Sequence, residues 1–275
     1  WPEVATSRPD GAPLHRDSFA ARQYFLGIAG LGVMRGILTR PSEGRPRLDE
    51  IRRIVATWDE FPNDLHVEVV EHVRAMFDAL APGKALDAAC GTGRHAGHLA
   101  ELGWQVVGID GTPAMLDVAR ARFPDVEFRD GRLEALPLED ESIDLAVSAL
   151  AVCHVEDLGP VFAELARVVR PGGTVIISDP HPVGVLLGGA AAFPDPDPGA
   201  SEGLTLPFVP NLHHPLHTYV NAAVAAGLVV AECQEPTFPP EALAANPAHA
   251  VLPDAVQQAF GGLPFVVVWR FRKPG

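Results

Sequence analysis

The sequence predicts an α/β domain built on a mostly parallel sheet, and three observations carry that prediction. Lys84 to Asp110 (KALDAACGTGRHAGHLAELGWQVVGID) reads as strand, glycine turn, helix and second strand. From there to about residue 178, short apolar runs alternate with helical spacings, as in strands joined by crossover helices. Two strong β runs, Leu228–Cys233 and Phe265–Phe271, then close the chain.

Within the first unit, Ala85–Ala89 is apolar enough for a buried parallel strand. Cys90-Gly91-Thr92-Gly93 is the turn, where two glycines permit tight backbone geometry and close approach of a ligand. Thr92–Leu102 has helical spacing and Gly103 is its stop signal. Gln105–Ile109 is the second strand and ends in Asp110, a carboxylate placed to bond a ribose diol. The dinucleotide fingerprint G-x-G-x-x-G does not fit this register. Asp87, at the end of the first strand, would repel a pyrophosphate and attract an ammonium or a sulfonium. S-adenosyl-L-methionine carries both cations and no phosphate.

On these residues the segment resembles motif I of the class I S-adenosylmethionine-dependent methyltransferases, D/E-x-G-C-G-T-G. Ala89 stands where that family usually has its first glycine. The resemblance continues in order. After Asp110 come Gly111, Thr112 as a helix cap and Pro113 in the first turn. Met115 then occupies the place of the family's apolar residue that packs on adenine; helix core is its plainer reading. Val126–Arg129 is the third strand, and Asp130–Pro137 (DGRLEALP) resembles the family's D-x-x-x-L-P segment. The resemblance implies that Asp130 accepts from the adenine amino group, with Gly131 and Arg132 adding contacts. Ser142–Leu150 is the fourth strand, and Ala149–Val155 resembles the loop that meets both cofactor and substrate. Asp157–Val169 reads as a helix stopped by Arg170-Pro171-Gly172-Gly173, and Thr174–Ser178 as strand five. The family's last strand inserts antiparallel beside strand five, and the two closing β runs fit that ending.

The expected fold is therefore a seven-stranded Rossmann-like sheet, mostly parallel with an antiparallel C-terminal strand, plus an N-terminal helical extension. Residues 1–80 are expected to be arm and helices, and 81–275 the methyltransferase domain. Ser18 to about Leu38 is apolar but glycine-rich, which suits a packed helix, as a lid or as an oligomer contact. The aromatic segment that covers the cofactor in many relatives has no clear counterpart in residues 67–80: either Phe61, Phe77, Tyr24 or Phe25 substitutes for it, or that piece is absent from the sequence. Residues 180–215 are dense in proline and glycine and follow strand five, so they read as a substrate-facing insertion. Leu216–Ala226 is a helix ended by Gly227.

Methyl transfer is an in-line displacement that rests on positioning, and a protic acceptor must also lose a proton. Histidine is best poised for that step near neutral pH. His154, His181 and His214 are the candidate base or substrate contacts, each weighed against a purely structural role. The H-H-x-x-H run at His213, His214 and His217 lacks the partners of a metal site, and no metal is expected. The cofactor set is Asp87, Ala89, Gly91, Gly93, Asp110, Gly111, Met115, Asp130, Gly131, Arg132 and Ala149.

Composition narrows the partners. A net charge of −14 repels phosphate backbones and anionic lipid, so nucleic acid and membrane are poor partners for the chain. Three scattered cysteines suggest a reducing, cytoplasmic setting without disulfides. The chain begins at Trp1, so residues are expected before it. The reading is methyl transfer to a small-molecule acceptor, oxygen favoured over nitrogen or carbon, with homodimerisation through the N-terminal helices. High Ala, Gly, Pro and Arg usage is associated with GC-rich genomes and so with specialised metabolism. The rivals are a cofactor-binding protein of the same fold that transfers no methyl, and a nicotinamide-dependent oxidoreductase.

Overall fold

The computed structural model describes residues 71–186, 191–192, 208–209, 211–245 and 247–275. The chain divides into two compact units, one of Pro46–Pro236 with Phe265–Gly275 and a second that includes Thr237–Pro264. The helix expected over residues 18–38 lies outside the described residues, as do Tyr24, Phe25 and Phe61.

The larger unit holds a seven-stranded sheet in the order β3-β2-β1-β4-β5-β9-β8. Its strands are β1 Lys84–Ala88, β2 Gln105–Asp110, β3 Glu127–Asp130, β4 Ile143–Ala149, β5 Val169–Pro180, β8 Val229–Gln234 and β9 Val266–Arg272. Strands β1 to β5 pair in parallel, and β9 lies antiparallel between β5 and β8. The expected insertion of the last strand beside strand five is therefore what the fold shows. A separate antiparallel pair, β6 Ala191–Ala192 with β7 Phe208–Val209, lies within the region read as an insertion.

Each crossover helix has a local cause. Helix α1, Arg94–Glu101, starts from Gly93 at φ 82, and Gly103 at φ 88 turns the chain after it. Helix α2, Pro113–Arg122, has Pro113 in its first turn. Helix α3, Leu158–Val168, is capped by Asp157, whose side chain accepts from the Gly159 N–H at 2.9 Å. Helix α5, Leu216–Ala225, is followed by Gly227 at φ 78. A short helix α4, Pro182–Leu186, precedes it; α6 Pro240–Ala245 and α7 Pro253–Phe260 belong to the second unit.

Apolar residues fill both faces of the sheet. One cluster joins Leu86, Val107, Ala146, Phe162, Tyr219 and Trp269; the other joins Ala85, Leu99, Val106, Val147 and Ile176. Phe77 is fully buried in the second cluster, so core packing rather than a cofactor lid is its role.

The Arg170-Pro171-Gly172-Gly173 stretch departs from its reading as a plain helix stop. Helix α3 ends at Val168, and Val169 already pairs with Ile143 of β4. The next pair is Leu145 with Thr174, so Arg170–Gly173 bulges out of β5. Pro171 disfavours helical geometry at Arg170, and Gly172 takes φ 79. A Cβ on Gly173 would sit 2.9 Å from the Asp144 carbonyl oxygen. Asp144 holds the bulge by an ion pair with Arg170 and also accepts the Lys84 N–H at 2.7 Å.

Candidate active site

The order of the strands reverses direction between β1 and β4, the place where open α/β sheets bind ligands at their carboxyl ends. Both strands leave the sheet there through left-handed residues, Ala89 at φ 59 and Leu150 at φ 53. A non-glycine residue in that region costs about 1–2 kcal/mol. Gly91 and Gly93 follow Ala89 at φ 53 and 82. Nothing lies within 4 Å of where a Gly91 Cβ would be, so the turn opens onto free space. Gly93 is required for another reason: a Cβ there would meet the rings of Phe128 at 3.0 Å and Phe123 at 3.1 Å.

Three carboxylates stand around this turn. Asp87 pairs in register with Gly108, and Asp110 pairs with Asp130 two residues further on. By strand alternation all three project to the same face of the sheet. Asp87 is 2% exposed, and its Oδ2 accepts the Ala96 N–H in the first turn of α1 at 2.8 Å. Asp110 accepts from the Gly91 N–H through Oδ2 and from the Thr112 N–H through Oδ1, both at 2.8 Å. Asp110 thus ties the glycine turn to the end of β2. Each of its oxygens keeps a further lone pair for another donor. Asp130 is exposed, and the Gly131 N–H donates to the Asp110 carbonyl at 3.2 Å.

No basic side chain forms an ion pair with Asp87, Asp110 or Asp130 among the described residues. Burial pushes the Asp87 carboxyl up to about 7, the Ala96 N–H opposes that, and the Asp110 charge adds to it. Burial also raises Asp110, against the pull of its two backbone donors, and Asp130 pushes it further up. A rim of like charges with no internal cation favours a cationic ligand. This rim, with open space over Gly91, fits the adenosyl sulfonium that the sequence motif implies.

On the other side, Asp179 ends β5 fully buried. Its Oδ2 accepts the Tyr219 O–H at 2.7 Å. Burial pushes Asp179 up to about 7, partly offset by Tyr219 and by the Cys153 and Ala151 N–H groups.

Residues 86–177 match the methyltransferase-domain family. This segment is a class I methyltransferase domain, and the cofactor of that family is S-adenosyl-L-methionine. The chain is 42% identical over 93 residues to a malonyl-[acyl-carrier protein] O-methyltransferase of Yersinia pestis, covering 34% of this chain and 35% of that protein. It is 34% identical over 119 residues to a demethylmenaquinone methyltransferase of Chlorobaculum parvum, covering 43% and 49%. The chain thus spans about a third to a half of the length of these curated relatives. A methyltransferase structure from Listeria monocytogenes superposes with a TM-score of 0.59 at 19% identity, over 76% of this chain and 100% of that one. That likeness concerns the fold.

Within the methyltransferase domain, the other residues of the expected cofactor set sit at or after the carboxyl ends of β1 to β4. Ala89, Gly91, Met115, Gly131 and Ala149 are half-buried, whereas Gly111 and Arg132 are exposed. Arg132 pairs with Glu134 at 2.9 Å. Gly131 has a packing reason, since a Cβ there would lie 2.8 Å from both Ile109 and Pro137.

The three histidines have different surroundings. His154 is exposed at the end of a 3₁₀ turn, Val152–His154, after β4. His181 is buried; its Nδ1 accepts the Val183 N–H at 3.2 Å, so its Nε2–H donates to Glu235 at 2.8 Å. Both of its nitrogens are committed in this arrangement. His214 is buried and donates from Nε2 to the Val155 carbonyl at 2.8 Å. The Asp179–Tyr219 pair escaped the sequence reading. A charged residue ending an apolar strand run was its visible signal, but its partner lies forty positions away.

Proposed function

We propose that the chain transfers a methyl group from S-adenosyl-L-methionine to a small-molecule acceptor. The observation that carries this reading is the rim of Asp87, Asp110 and Asp130 on one face, with no ion-paired cation among the described residues, beside the glycine turn. When bound, the cofactor supplies a methyl group on a positively charged sulfur. Asp110 would bond the ribose hydroxyls with the lone pairs left over from Gly91 and Thr112. Gly91 and Gly93 would leave room for the methionine end. Asp87 would act there through its charge, because its side chain is buried and turned to α1. Asp130 would bond the adenine, with Gly131 and Arg132 beside it, and Met115 would pack on it.

The acceptor is left the carboxyl ends of β4 and β5, with His154, His181 and His214 as its candidate contacts. Oxygen is the favoured acceptor atom. Some similar proteins are named malonyl-[acyl-carrier protein] O-methyltransferase and others demethylmenaquinone methyltransferase. The net charge of −14 supports a small acceptor over nucleic acid. Three free cysteines support a cytoplasmic setting, and no described helix is long and apolar enough to cross a membrane. Homodimerisation through the N-terminal helices, within a first region of residues 1–80, completes the proposal.

The test has two arms. Calorimetric titration with S-adenosylhomocysteine and with NAD separates a methyltransferase site from a dinucleotide site. Asp110→Ala should weaken S-adenosylhomocysteine binding by about 1–3 kcal/mol, the cost of leaving buried polar groups unpaired. Unchanged affinity would remove Asp110 from the ribose. Incubation with methyl-labelled cofactor and a panel of small hydroxy, carboxy and amino compounds then tests transfer. Tight binding with no transfer to any of them would favour a cofactor-binding protein that moves no methyl group.

A further inference from the structure

The proposed function makes no use of the acid–phenol pair at the end of β5. Asp179 is 0% exposed; the Tyr219 O–H donates to its Oδ2 at 2.7 Å, and the Cys153 thiol lies close enough to stabilise its charge. Its Oδ1 makes no hydrogen bond of normal geometry, although the Ala151 and Cys153 N–H groups lie near enough to stabilise its charge. No basic side chain forms an ion pair with it among the described residues. A carboxyl in such a place is expensive to ionise. Packing alone does not call for an ionisable group there.

The surroundings indicate what the pair holds. Tyr219 is 1% exposed, stacks on Trp269 at 6.1 Å between ring centres, and meets His214 edge-on. The segment that leads into α5 is stitched to the loop that leaves β4. The Leu212 N–H donates to the Cys153 carbonyl at 2.8 Å, and His214 Nε2 donates to the Val155 carbonyl at 2.8 Å. The Cys153 thiol lies 3.7 Å from Asn211 Oδ1. On the other side of the loop, the Leu150 N–H donates to the Ser178 carbonyl at 2.7 Å. Asp179 stands between the two stitched segments and touches both.

We propose that Asp179 is a positioning residue which, through Tyr219, fastens residues 211–219 to the loop of residues 150–155 and so fixes the acceptor side of the cleft. This rests on the methyltransferase reading, in which the cofactor occupies the ends of β1 to β3 and the acceptor those of β4 and β5. The titratable groups that face Asp179 are Tyr219 and Cys153, with His214 beyond the Tyr219 ring. Opening the latch hydrates the carboxyl and returns it to its ordinary pKa. Opening is therefore easier once Asp179 has ionised in place.

Amide hydrogen exchange of the full chain reads this directly. In wild type, protection of residues 150–155 and 211–219 falls tenfold or more between about pH 5.5 and pH 7.5, after correction for intrinsic exchange. Asp179→Asn keeps an acceptor for Tyr219 but cannot ionise, so protection stays high at both pH values. Tyr219→Phe loses about tenfold protection in these two segments only. S-adenosylhomocysteine affinity stays within about twofold in both variants, because the latch does not touch the cofactor rim. A pH dependence retained in Asp179→Asn would overturn the proposal, as would Tyr219→Phe loosening the whole sheet alike. Loss of S-adenosylhomocysteine binding in the variants alone would also overturn it, by moving the latch to the cofactor side. Failure of wild type to bind S-adenosylhomocysteine would instead sink the methyltransferase reading and leave the exchange pattern standing.

Discussion

Asp87 makes the energetic cost of the cofactor rim measurable. Its carboxyl is buried, its pKa stands at about 7 against the usual 3.8, and the Ala96 N–H donates to it. The folded protein therefore holds a proton that the unfolded chain gives up. The associated stability is fully present at low pH, falls as pH rises toward the folded-state pKa, and is lost above about pH 7. With those two pKa values, one such group withdraws about 2 kcal/mol of folding stability between about pH 5.5 and pH 7.5. Asp87→Asn retains an oxygen to accept the Ala96 N–H and removes the titration. Urea unfolding of wild type and variant at a series of pH values checks this. The difference between the two proteins should change by about 2 kcal/mol over that range, in favour of the variant at the higher pH. Other titrating groups, including Asp179 and the eleven histidines, are common to both proteins and cancel in the difference; Asp110 is coupled to Asp87, so loss of the Asp87 charge eases its ionisation in the variant. Parallel curves would mean that water or a counter-charge reaches Asp87 in solution. The argument for an unneutralised rim would then fail.

Two backbone predictions follow from the turn. Ala89→Gly relieves a left-handed alanine, worth about 1–2 kcal/mol, against an entropy cost of about 0.5–1 kcal/mol and the loss of a methyl packed on the core. Thermal unfolding should show a small gain, about 0.5 kcal/mol; a clear loss would mean that the methyl contact outweighs the strain. Gly97→Ala places a Cβ 2.2 Å from the Phe123 ring inside α1 and should destabilise by about 1–3 kcal/mol. Pairing it with Phe123→Leu should recover part of that loss, and no recovery would point away from the ring as the cause.

The placement of Asp87, Asp110 and Asp130 along one face is legible in the sequence because successive strands build it. A buried parallel strand needs a largely apolar run, and Ala85–Ala88, interrupted by Asp87, and Val106–Ile109 supply two of them. The glycines between them answer backbone demands that no other residue meets as cheaply, as the φ values of Gly91 and Gly93 show. The carboxylates fall where the runs end, and alternation sets their face. The Arg170–Gly173 stretch was harder to read. A proline followed by two glycines stops a helix in either reading, and only the pairing of Val169 with Ile143 reveals that the strand has already begun.

The acceptor side obeys different rules. Its contacts join Val155 to His214, Cys153 to Leu212 and Asp179 to Tyr219, pairs forty to sixty positions apart. No local propensity constrains such pairs, so a sequence shows only that polar residues are available. His181 illustrates the consequence. Its place after strand five suits a base, yet its two nitrogens serve Val183 and Glu235. Asp179, two residues earlier, lies in the continuously buried stretch of β5, and its Oδ1 is left unbonded. Where a carboxyl meets a tyrosine without a cation, the protonation state rather than the shape of the site carries its energetics. On this side of the cleft the residue that decides the geometry is therefore better sought among the buried acids than among the histidines.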